Sequence, residues 1–376
     1  MLYLTISFWV CEKSDGLRVL VLIVKSPVTD KQEVYLVNRR NEYYEVSGVV
    51  FACFQTGLFS EGLSEDRADT LLDGELVVDV DCYGNLLHRL LLFDCMAIDG
   101  ESLVELPLIK RYARLCNDIL RPYKCYLDNN KAIDPPFDVQ VKQMRCAFEL
   151  DSVLEGLSNM KRNTDGLIFT NAMSGYNCGT DRRILKWKSP HETTIDFKLQ
   201  LRFPPDFDAD PQGKVPNYYA KPLFQLFRHV KGNTHEPFDY LEMKDEEWEQ
   251  WKRSGEQLDD RIVECAWQYT TNESDHNGTW RIVRIRDDKV VANHRYAVCH
   301  ILNTIKENVK QEDLKKLIPA IRTSWSSPKR EQARIRARSK SASLVKAGSS
   351  RLKTCNEVIN IGSSLPRRNF RNLVPG

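Results

Sequence analysis

The stretch CEKSDGLRVLVLIVK, residues 11–25, places a lysine and an arginine on either side of an Asp-Gly pair, between two apolar runs. An Asp-Gly pair in that position is typical of a tight β-hairpin, in which Lys13 and Arg18 would simply be solvated. The same arrangement would place the Lys13 amine at a strand edge beside a glycine turn, where it could act as a nucleophile. The stretch alone favours the hairpin, so residues downstream decide what else the lysine does.

The remaining pattern predicts an α+β fold. Short apolar runs separated by turn residues predict a mixed, mainly antiparallel sheet over the first half of the chain. Apolar residues three and four apart from Leu108 to Ile119 predict an amphipathic helix, which Pro122 is expected to end. We therefore predict a mixed-sheet domain with outer helices (1–191), a small β-barrel with C-terminal helices (192–325) and a disordered basic tail (326–376).

Charge is distributed unevenly along the 376 residues, although the formal net charge is only +2. From Trp325 onward, 12 lysines and arginines stand against 2 acidic residues, whereas the preceding part carries 42 basic and 50 acidic residues. A basic tail on an acidic body predicts contact with a polyanion or an acidic protein surface. The 11 cysteines include no CxxC pair, which disfavours a zinc site. No apolar run reaches the roughly 20 residues of a membrane span.

Charged and aromatic residues recur at the ends of apolar strands in five further stretches: TLLDGELV (70–77), RLLLFD (89–94), NTDGLIFT (163–170), ILKWKSP (184–190) and WRIVRIRDDK (280–289). The carboxylates Glu75 and Asp165 suit one hard divalent cation such as Mg²⁺. Phe93 offers a flat face to a nucleotide base. The cations suited to a triphosphate are Lys186, Lys188, Arg286 and Lys289.

Each of these features also has an ordinary structural explanation. An Asp-Gly-Glu beside a strand is more often a turn, and a phenylalanine on an alternating strand is more often part of the core. Paired lysines on a strand are usually solvated, and an Arg-Asp-Lys set is usually a weak surface salt bridge. Taken together, however, a metal site, a triphosphate site, a base platform and an amine are the parts of a nucleotidyl transfer reaction.

The order of the motifs KSDGLR, LDGEL, LLLFD, TDGLIF, LKWK with its TIDF extension, and RIRDDK resembles that of the covalent nucleotidyltransferases. This superfamily includes messenger-RNA capping enzymes and polynucleotide ligases. The resemblance covers about residues 11 to 325 and is strongest to the fungal-type messenger-RNA guanylyltransferases, because a tryptophan separates the two lysines of LKWK. It implies a nucleotidyltransferase domain, an OB-fold barrel and transfer of GMP from GTP to RNA through a lysyl–GMP intermediate.

The resemblance also implies a role for each matched residue. Lys13 would be the nucleophile that attacks the α-phosphate of GTP, and Glu75 and Asp165 would be carboxylates associated with Mg²⁺ or Mn²⁺. The GTP-binding residues would be Arg18 at the ribose or phosphates, Phe93 on guanine, Lys186 and Lys188 at the α-phosphate, and Arg286, Asp288 and Lys289 at the β- and γ-phosphates. An amine attacks only when it is neutral, so nearby cations such as Lys186 are expected to favour that form.

The same resemblance implies which molecules this protein would bind. They are RNA with a 5′-diphosphate end, a separate RNA 5′-triphosphatase subunit and the phosphorylated C-terminal domain of RNA polymerase II, all in the nucleus and away from membranes. Only ten residues precede Cys11, fewer than in the family, so we expect the first domain to be truncated at its N-terminus. Two alternatives stay open: an ATP-dependent polynucleotide ligase, and an inactive relative that binds partners through its barrel and basic tail.

Overall fold

The computed structural model describes residues 7–54, 62–64, 67–80, 83–159, 164–189, 193–269, 278–307, 309–326, 368–370 and 373, apart from the side chains of residues 158, 159 and 165. The chain divides into two units. The first comprises Met1–Trp187 together with Lys315–Gly376, and the second comprises Lys188–Leu314. Mixed sheets with a few helices in the first unit and a closed barrel in the second confirm the predicted α+β fold.

Two large sheets form the first unit. Its strands are β1 (Phe8–Ser14), β2 (Leu17–Lys25), β3 (Gln32–Val37), β4 (Tyr43–Glu45), β5 (Cys53–Phe54), β6 (Leu63–Ser64), β7 (Thr70–Val80), β8 (Leu86–Ile98), β9 (Glu101–Ser102), β10 (Asp138–Val141), β11 (Arg145–Cys146), β12 (Thr164–Asn171), β13 (Leu185–Trp187) and β19 (Arg368–Asn369). The eight-stranded sheet has the order β10-β8-β7-β2-β3-β4-β19, with β9 paired to β8. The four-stranded sheet has the order β11-β1-β12-β13.

The Asp-Gly pair of the opening stretch joins these two sheets. β1 pairs with β11 and β12, whereas β2 pairs with β3 and β7, so the predicted hairpin is wrong. A Cβ atom on Gly16 would lie 2.7 Å from both the Leu76 carbonyl oxygen and Val77 Cγ1. Only glycine lets the chain pass so close to β7 as it crosses from one sheet to the other.

A long helix packs against the eight-stranded sheet. It consists of α1 (Leu108–Arg114), a π-helical segment (Leu115–Leu120) and α2 (Arg121–Asn129). The helix side chains that join the core cluster of the sheet are Leu115, Ile119 and Tyr123. The helix thus continues through Pro122, where we predicted its end. Proline has no backbone N–H to donate, and near it Arg67 Nη2 donates to the Asp118 carbonyl at 2.6 Å.

The second unit contains a closed five-stranded barrel. Its strands are β14 (Thr194–Arg202), β15 (Leu223–Lys231), β16 (Thr234–Leu241), β17 (Ile262–Tyr269) and β18 (Gly278–Ile285), in the closed order β14-β15-β16-β18-β17. Phe197, Phe238 and Trp280 pack against one another in its core. The described part of the chain also contains the α-helices α3 (Leu150–Asn159), α4 (Asp245–Ser254), α5 (Arg295–Glu307), α6 (Gln311–Lys316) and α7 (Ile318–Trp325).

The basic tail falls mostly outside the described residues, since 327–367 are not among them. Four residues near the end of the chain, 368–370 and 373, are described. Arg368–Asn369 pair with β4 in parallel, and the side chains of Phe370 and Leu373 belong to the core cluster of the first unit. No helix in the described part of the chain is long and apolar enough to cross a membrane.

Candidate active site

A cavity of about 340 Å³ in the first unit collects five of the residues that the sequence singled out. They are Lys13, Arg18, Glu75, Phe93 and Lys186. These residues come from five strands of two sheets, and the crossing at Gly16 brings those sheets together here. The arrangement places an amine, two further cations, a carboxylate and an aromatic face around one space.

Lys13 lies on β1, one residue before that strand ends. The pairing of β1 with β12 is regular up to Glu12, and the register shifts between Glu12 and Ser14. Such an irregularity re-aims the side chain at the shift, and β-bulges are common beside active sites. The Lys13 side chain is half-buried and lines the cavity, rather than being solvated at a hairpin tip.

Arg18 is held by a carboxylate and a phenol. Its Nε and Nη2 atoms donate to the two oxygens of Asp73 at 3.0 and 2.6 Å, and Nη2 also donates to the Tyr176 hydroxyl at 3.1 Å. That hydroxyl donates in turn to Asp73 Oδ2 at 2.7 Å. Burial and the nearby Asp73 carboxylate raise the pKa of Tyr176, so its hydroxyl remains a donor at neutral pH. Arg18 therefore faces the cavity in a fixed orientation.

Glu75 has a buried partner that the sequence reasoning did not identify. Lys142 Nζ, whose side chain is 2% exposed, donates to Glu75 Oε2 at 3.0 Å. Asp165 lies on β12, and its side chain is outside the described part of the structure. Among the described residues, no group of three or more His, Cys, Asp or Glu side chains is arranged to hold a metal ion. An ion here would depend on one or two carboxylates and on substrate phosphates.

Phe93 is half-buried on β8 and lines the cavity, so it is not simply a core residue. The next residue, Asp94, is buried and accepts hydrogen bonds from Arg111 Nε at 2.7 Å and Nη2 at 2.8 Å. Arg111 is itself buried and also donates to the Ser174 carbonyl at 3.0 Å. Arg111 thereby ties β8 to the loop that carries Tyr176, and its guanidinium lies 5.8 Å from the centre of the Tyr176 ring.

The two lysines of LKWK differ in position. Lys186 is exposed on β13, opposite Ile168 of β12, and lines the cavity. Lys188 is the first residue of the second unit. The structure therefore brings Lys186, but not Lys188, into the set of cavity-lining residues.

The predicted β- and γ-phosphate residues form a cluster of charges in the second unit. Arg286 donates through Nε and Nη2 to the carboxylate of Asp288 at 2.8 and 2.7 Å, and through Nη1 to Asp196 Oδ1 at 3.1 Å. Lys289 pairs with the other oxygen of Asp196. Bonding to Arg286 lowers the pKa of Asp288 to about 2. Both cations are thus held by carboxylates, one of which is the aspartate of the TIDF segment.

Four residues of this region were missed by the sequence reasoning: Arg39, Arg111, Lys142 and Tyr176. Arg39 lies in the turn between β3 and β4 and lines the cavity. The other three bond to partners that are distant in the chain. Lys142 and Glu75, for example, are 67 residues apart, and Tyr176 and Asp73 are 103 residues apart. A spacing pattern cannot reveal such pairs. The only local signal for Lys142 was its position directly after β10, a strand in which polar and apolar residues alternate.

Family models and curated relatives agree on one family. The family model described as "mRNA capping enzyme, catalytic domain" matches residues 2–190, and "mRNA capping enzyme, C-terminal domain" matches residues 192–315. The mRNA-capping enzyme subunit alpha of Candida glabrata is 35% identical over 356 residues, which cover 86% of this chain and 78% of that protein. Its namesake from Saccharomyces cerevisiae is 34% identical over 360 residues, covering 87% and 77%. A solved mycobacterial DNA ligase D with ATP and MES covers 75% of this chain and 90% of its own, at 13% identity and a TM-score of 0.35.

Proposed function

The chain belongs to the mRNA capping enzyme family, and we propose how its first unit carries out the reaction. The protein is an mRNA guanylyltransferase, which transfers GMP from GTP to the 5′ end of RNA. The observation that carries our proposal for the site is that Lys13, Arg18, Glu75, Phe93 and Lys186 line one cavity. A nucleophile, phosphate-binding cations and a base platform are all needed within reach of one nucleotide.

In the first step, Lys13 Nζ attacks the α-phosphorus of GTP. A P–N bond forms, the bond between the α-phosphorus and its bridging oxygen to the β-phosphate breaks, and pyrophosphate leaves. The amine must lose a proton before or during the attack, because only a neutral amine has the electron pair that forms the P–N bond. Lys186 and Arg18 stabilise the negative charge of the transferring phosphoryl group in the transition state.

In the second step, a β-phosphate oxygen of 5′-diphosphate RNA attacks the same phosphorus. The P–N bond breaks, the lysine is released and a GpppRNA end is formed. Phe93 stacks on the guanine in both steps and keeps the phosphorus in place. Because Arg111 locks Asp94 into the structure, the adjacent Phe93 is presented on a strand with little freedom to move.

The carboxylate of Glu75 fits a divalent cation, because it is a hard oxygen donor and lies within the same cavity as the phosphate-binding cations. We propose that Glu75 and Asp165 hold Mg²⁺ or Mn²⁺, which would neutralise phosphate charge. Lys142 fixes the orientation of Glu75 through its hydrogen bond to Oε2.

The barrel of the second unit has the strand order expected of an OB-fold, and we propose that it supplies Arg286 and Lys289 to the β- and γ-phosphates. Asp288 orients Arg286 through two hydrogen bonds instead of meeting phosphate itself. Lys188, at the start of this unit, would complete the cations at the α-phosphate. Motion between domains is a common means of admitting one substrate and releasing a product.

The proposed partners are those of nuclear cap formation. They are RNA with a 5′-diphosphate end, a separate subunit that removes the γ-phosphate from the RNA, and the phosphorylated C-terminal domain of RNA polymerase II. The relatives' designation as subunit alpha agrees with a partner subunit.

Covalent labelling tests the proposal. The protein is incubated with α-labelled GTP and Mg²⁺, and label retained after denaturation is measured. Wild type is expected to retain it, Lys13→Ala is expected to retain none, and Lys25→Ala serves as a matched control because Lys25 lies on β2 and pairs with Asp30 at 3.2 Å. Labelling from ATP but not GTP would indicate a ligase. Undiminished labelling of Lys13→Ala would refute the assigned nucleophile, and no labelling of wild type would indicate a binding protein.

A further inference from the structure

The last residues of the chain add a strand to the eight-stranded sheet. Arg368 is aligned with Tyr44 and Asn369 with Glu45, in a parallel pairing with β4. β4 would otherwise be the edge strand of this sheet, and an exposed edge is a ready binding site for an extended peptide. In this structure, Arg368 and Asn369 occupy that edge.

Two apolar side chains anchor the added strand. Phe370 is 9% exposed and packs edge-on against Phe137, with ring centres 5.3 Å apart. Leu373 is 8% exposed, and its amide donates to the Phe370 carbonyl at 2.8 Å, which turns the chain into the core. Burial of only two large apolar side chains gives a modest stabilisation, which suits a short segment that docks reversibly.

A charged contact links the docked segment to the turn before β4. Arg368 pairs with Glu42 Oε1 at 2.8 Å. The other oxygen of Glu42 accepts from Asn38 Nδ2 at 2.7 Å and from the Tyr44 hydroxyl at 3.0 Å. Hydrogen bonds from Asn38, from Tyr44 and the charge of Arg368 lower the pKa of Glu42.

The same turn presents Arg39 to the cavity. The Asn38 side-chain oxygen accepts from the amides of Arg40 at 2.9 Å and Glu42 at 3.1 Å, and the Asn41 amide donates to the Asn38 carbonyl at 3.0 Å. The turn is thus closed by Asn38 and Glu42, and Arg39 projects from it into the cavity that contains Lys13. Arg368 holds one member of the pair that closes the turn.

We propose that Arg368, Asn369, Phe370 and Leu373 act as an intramolecular ligand of the β4 edge, whose docking fixes the Asn38–Asn41 turn and thereby places Arg39 for GTP binding. The ligand class is an extended peptide with an arginine, a phenylalanine two residues later and a leucine three residues after that. The regulatory part of this inference rests on the proposed function, because it requires that GTP occupies the cavity. The peptide site itself does not.

Docking is tested with the full-length double variant Phe370→Ala/Leu373→Ala, in which the anchors are removed. A fluorescein-labelled peptide PRRNFRNLVPG, residues 366–376, is added and its anisotropy measured. The double variant is expected to bind the peptide, and wild type at least about tenfold more weakly, because its own segment competes at a high effective concentration. Equal binding to both proteins, or none to the double variant, would overturn the site. A wild-type dimer that the double variant converts to monomer would overturn the intramolecular assignment in favour of an exchanged segment.

The link to the active site is tested by the GTP concentration that gives half-maximal lysyl–GMP formation. Arg368→Glu is expected to raise it about three- to tenfold, whereas Arg351→Glu, which makes the same charge change elsewhere in the tail, is expected to leave it unchanged. Added wild-type peptide is expected to return the half-maximal GTP concentration of the double variant to the wild-type value. A peptide carrying Arg368→Glu is not expected to do so. An unchanged value for Arg368→Glu would refute the coupling. If wild type forms no lysyl–GMP at all, the proposed function fails, while the anisotropy result still decides the peptide site.

Discussion

Replacing Tyr176 with phenylalanine removes one oxygen atom from the network that orients Arg18. That hydroxyl donates to Asp73 at 2.7 Å and accepts from Arg18 at 3.1 Å. Each is a hydrogen bond to a charged group, worth about 1.5–3 kcal/mol. The two direct bonds from Arg18 to Asp73 remain in the variant, so only part of this energy is expected to be lost. We expect about 1–2 kcal/mol less stabilisation of the transition state, which corresponds to a roughly 5- to 30-fold lower rate.

The assay is the rate of lysyl–GMP formation in single turnovers at subsaturating GTP. Tyr123→Phe is the matched control, since its hydroxyl is buried with no hydrogen-bond partner in the described part of the structure. Removing an unsatisfied hydroxyl is expected to be neutral or stabilising, so Tyr123→Phe should keep the wild-type rate and an equal or higher melting temperature. Because the pKa of Tyr176 is raised, the effect of Tyr176→Phe is expected to be constant between pH 6 and about 9. A wild-type rate for Tyr176→Phe, or an equal loss in Tyr123→Phe, would refute this reasoning.

Three further substitutions or treatments test other parts of the first unit. Arg111→Met leaves a buried carboxylate unpaired and is expected to lower the free energy of unfolding of the first unit, measured with denaturant, by about 3–5 kcal/mol. The control Arg114→Met removes a half-exposed ion pair and should lower it by less than about 1 kcal/mol. Gly16→Ala forces a Cβ to within 2.7 Å of backbone and should abolish lysyl–GMP formation, while Gly156→Ala, with open space around it in α3, should be tolerated or stabilise by about 0.5–1 kcal/mol. Burial raises the pKa of Cys11 to about 11, so at pH 8 only about one in a thousand Cys11 thiols is ionised. Because iodoacetamide reacts with the thiolate, peptide mass spectrometry should find Cys11 unlabelled. A stable Arg111→Met protein, an active Gly16→Ala protein or rapid labelling of Cys11 would each contradict the structural reason given for it.

The sequence was most informative where function depends on short motifs. Lys13, Glu75 and Phe93 were selected from their positions beside strands, and all line the cavity. The local interpretation of the first motif was nevertheless wrong, because Asp15-Gly16 connects two sheets instead of closing a hairpin. An Asp-Gly pair indicates that the backbone bends or passes close to another segment. It does not indicate which segment that is.

Long-range contacts account for the other differences. The helix continues past Pro122, and a buried arginine distant in the chain, Arg67, donates to the Asp118 carbonyl in the turn before it. The composition of the tail predicted disorder, yet Phe370 and Leu373 find a place in the core. In each case a local tendency was reversed by a partner far away in the chain, and local patterns contain no information about such partners.

The arginines that we propose to bind phosphate, Arg18 and Arg286, are held differently within their own units. Arg18 uses Nε and Nη2 for Asp73, and no described residue accepts a hydrogen bond from its Nη1, which could therefore bond a ligand in the cavity. Arg286 uses Nε and Nη2 for Asp288 and Nη1 for Asp196, so an incoming phosphate has to replace a carboxylate. Such an exchange is close to neutral in energy, because one anion replaces another at the same guanidinium. If both arginines bind phosphate as proposed, Arg18 would do so without giving up a bond, whereas Arg286 would have to exchange one, which would keep its bond to phosphate reversible.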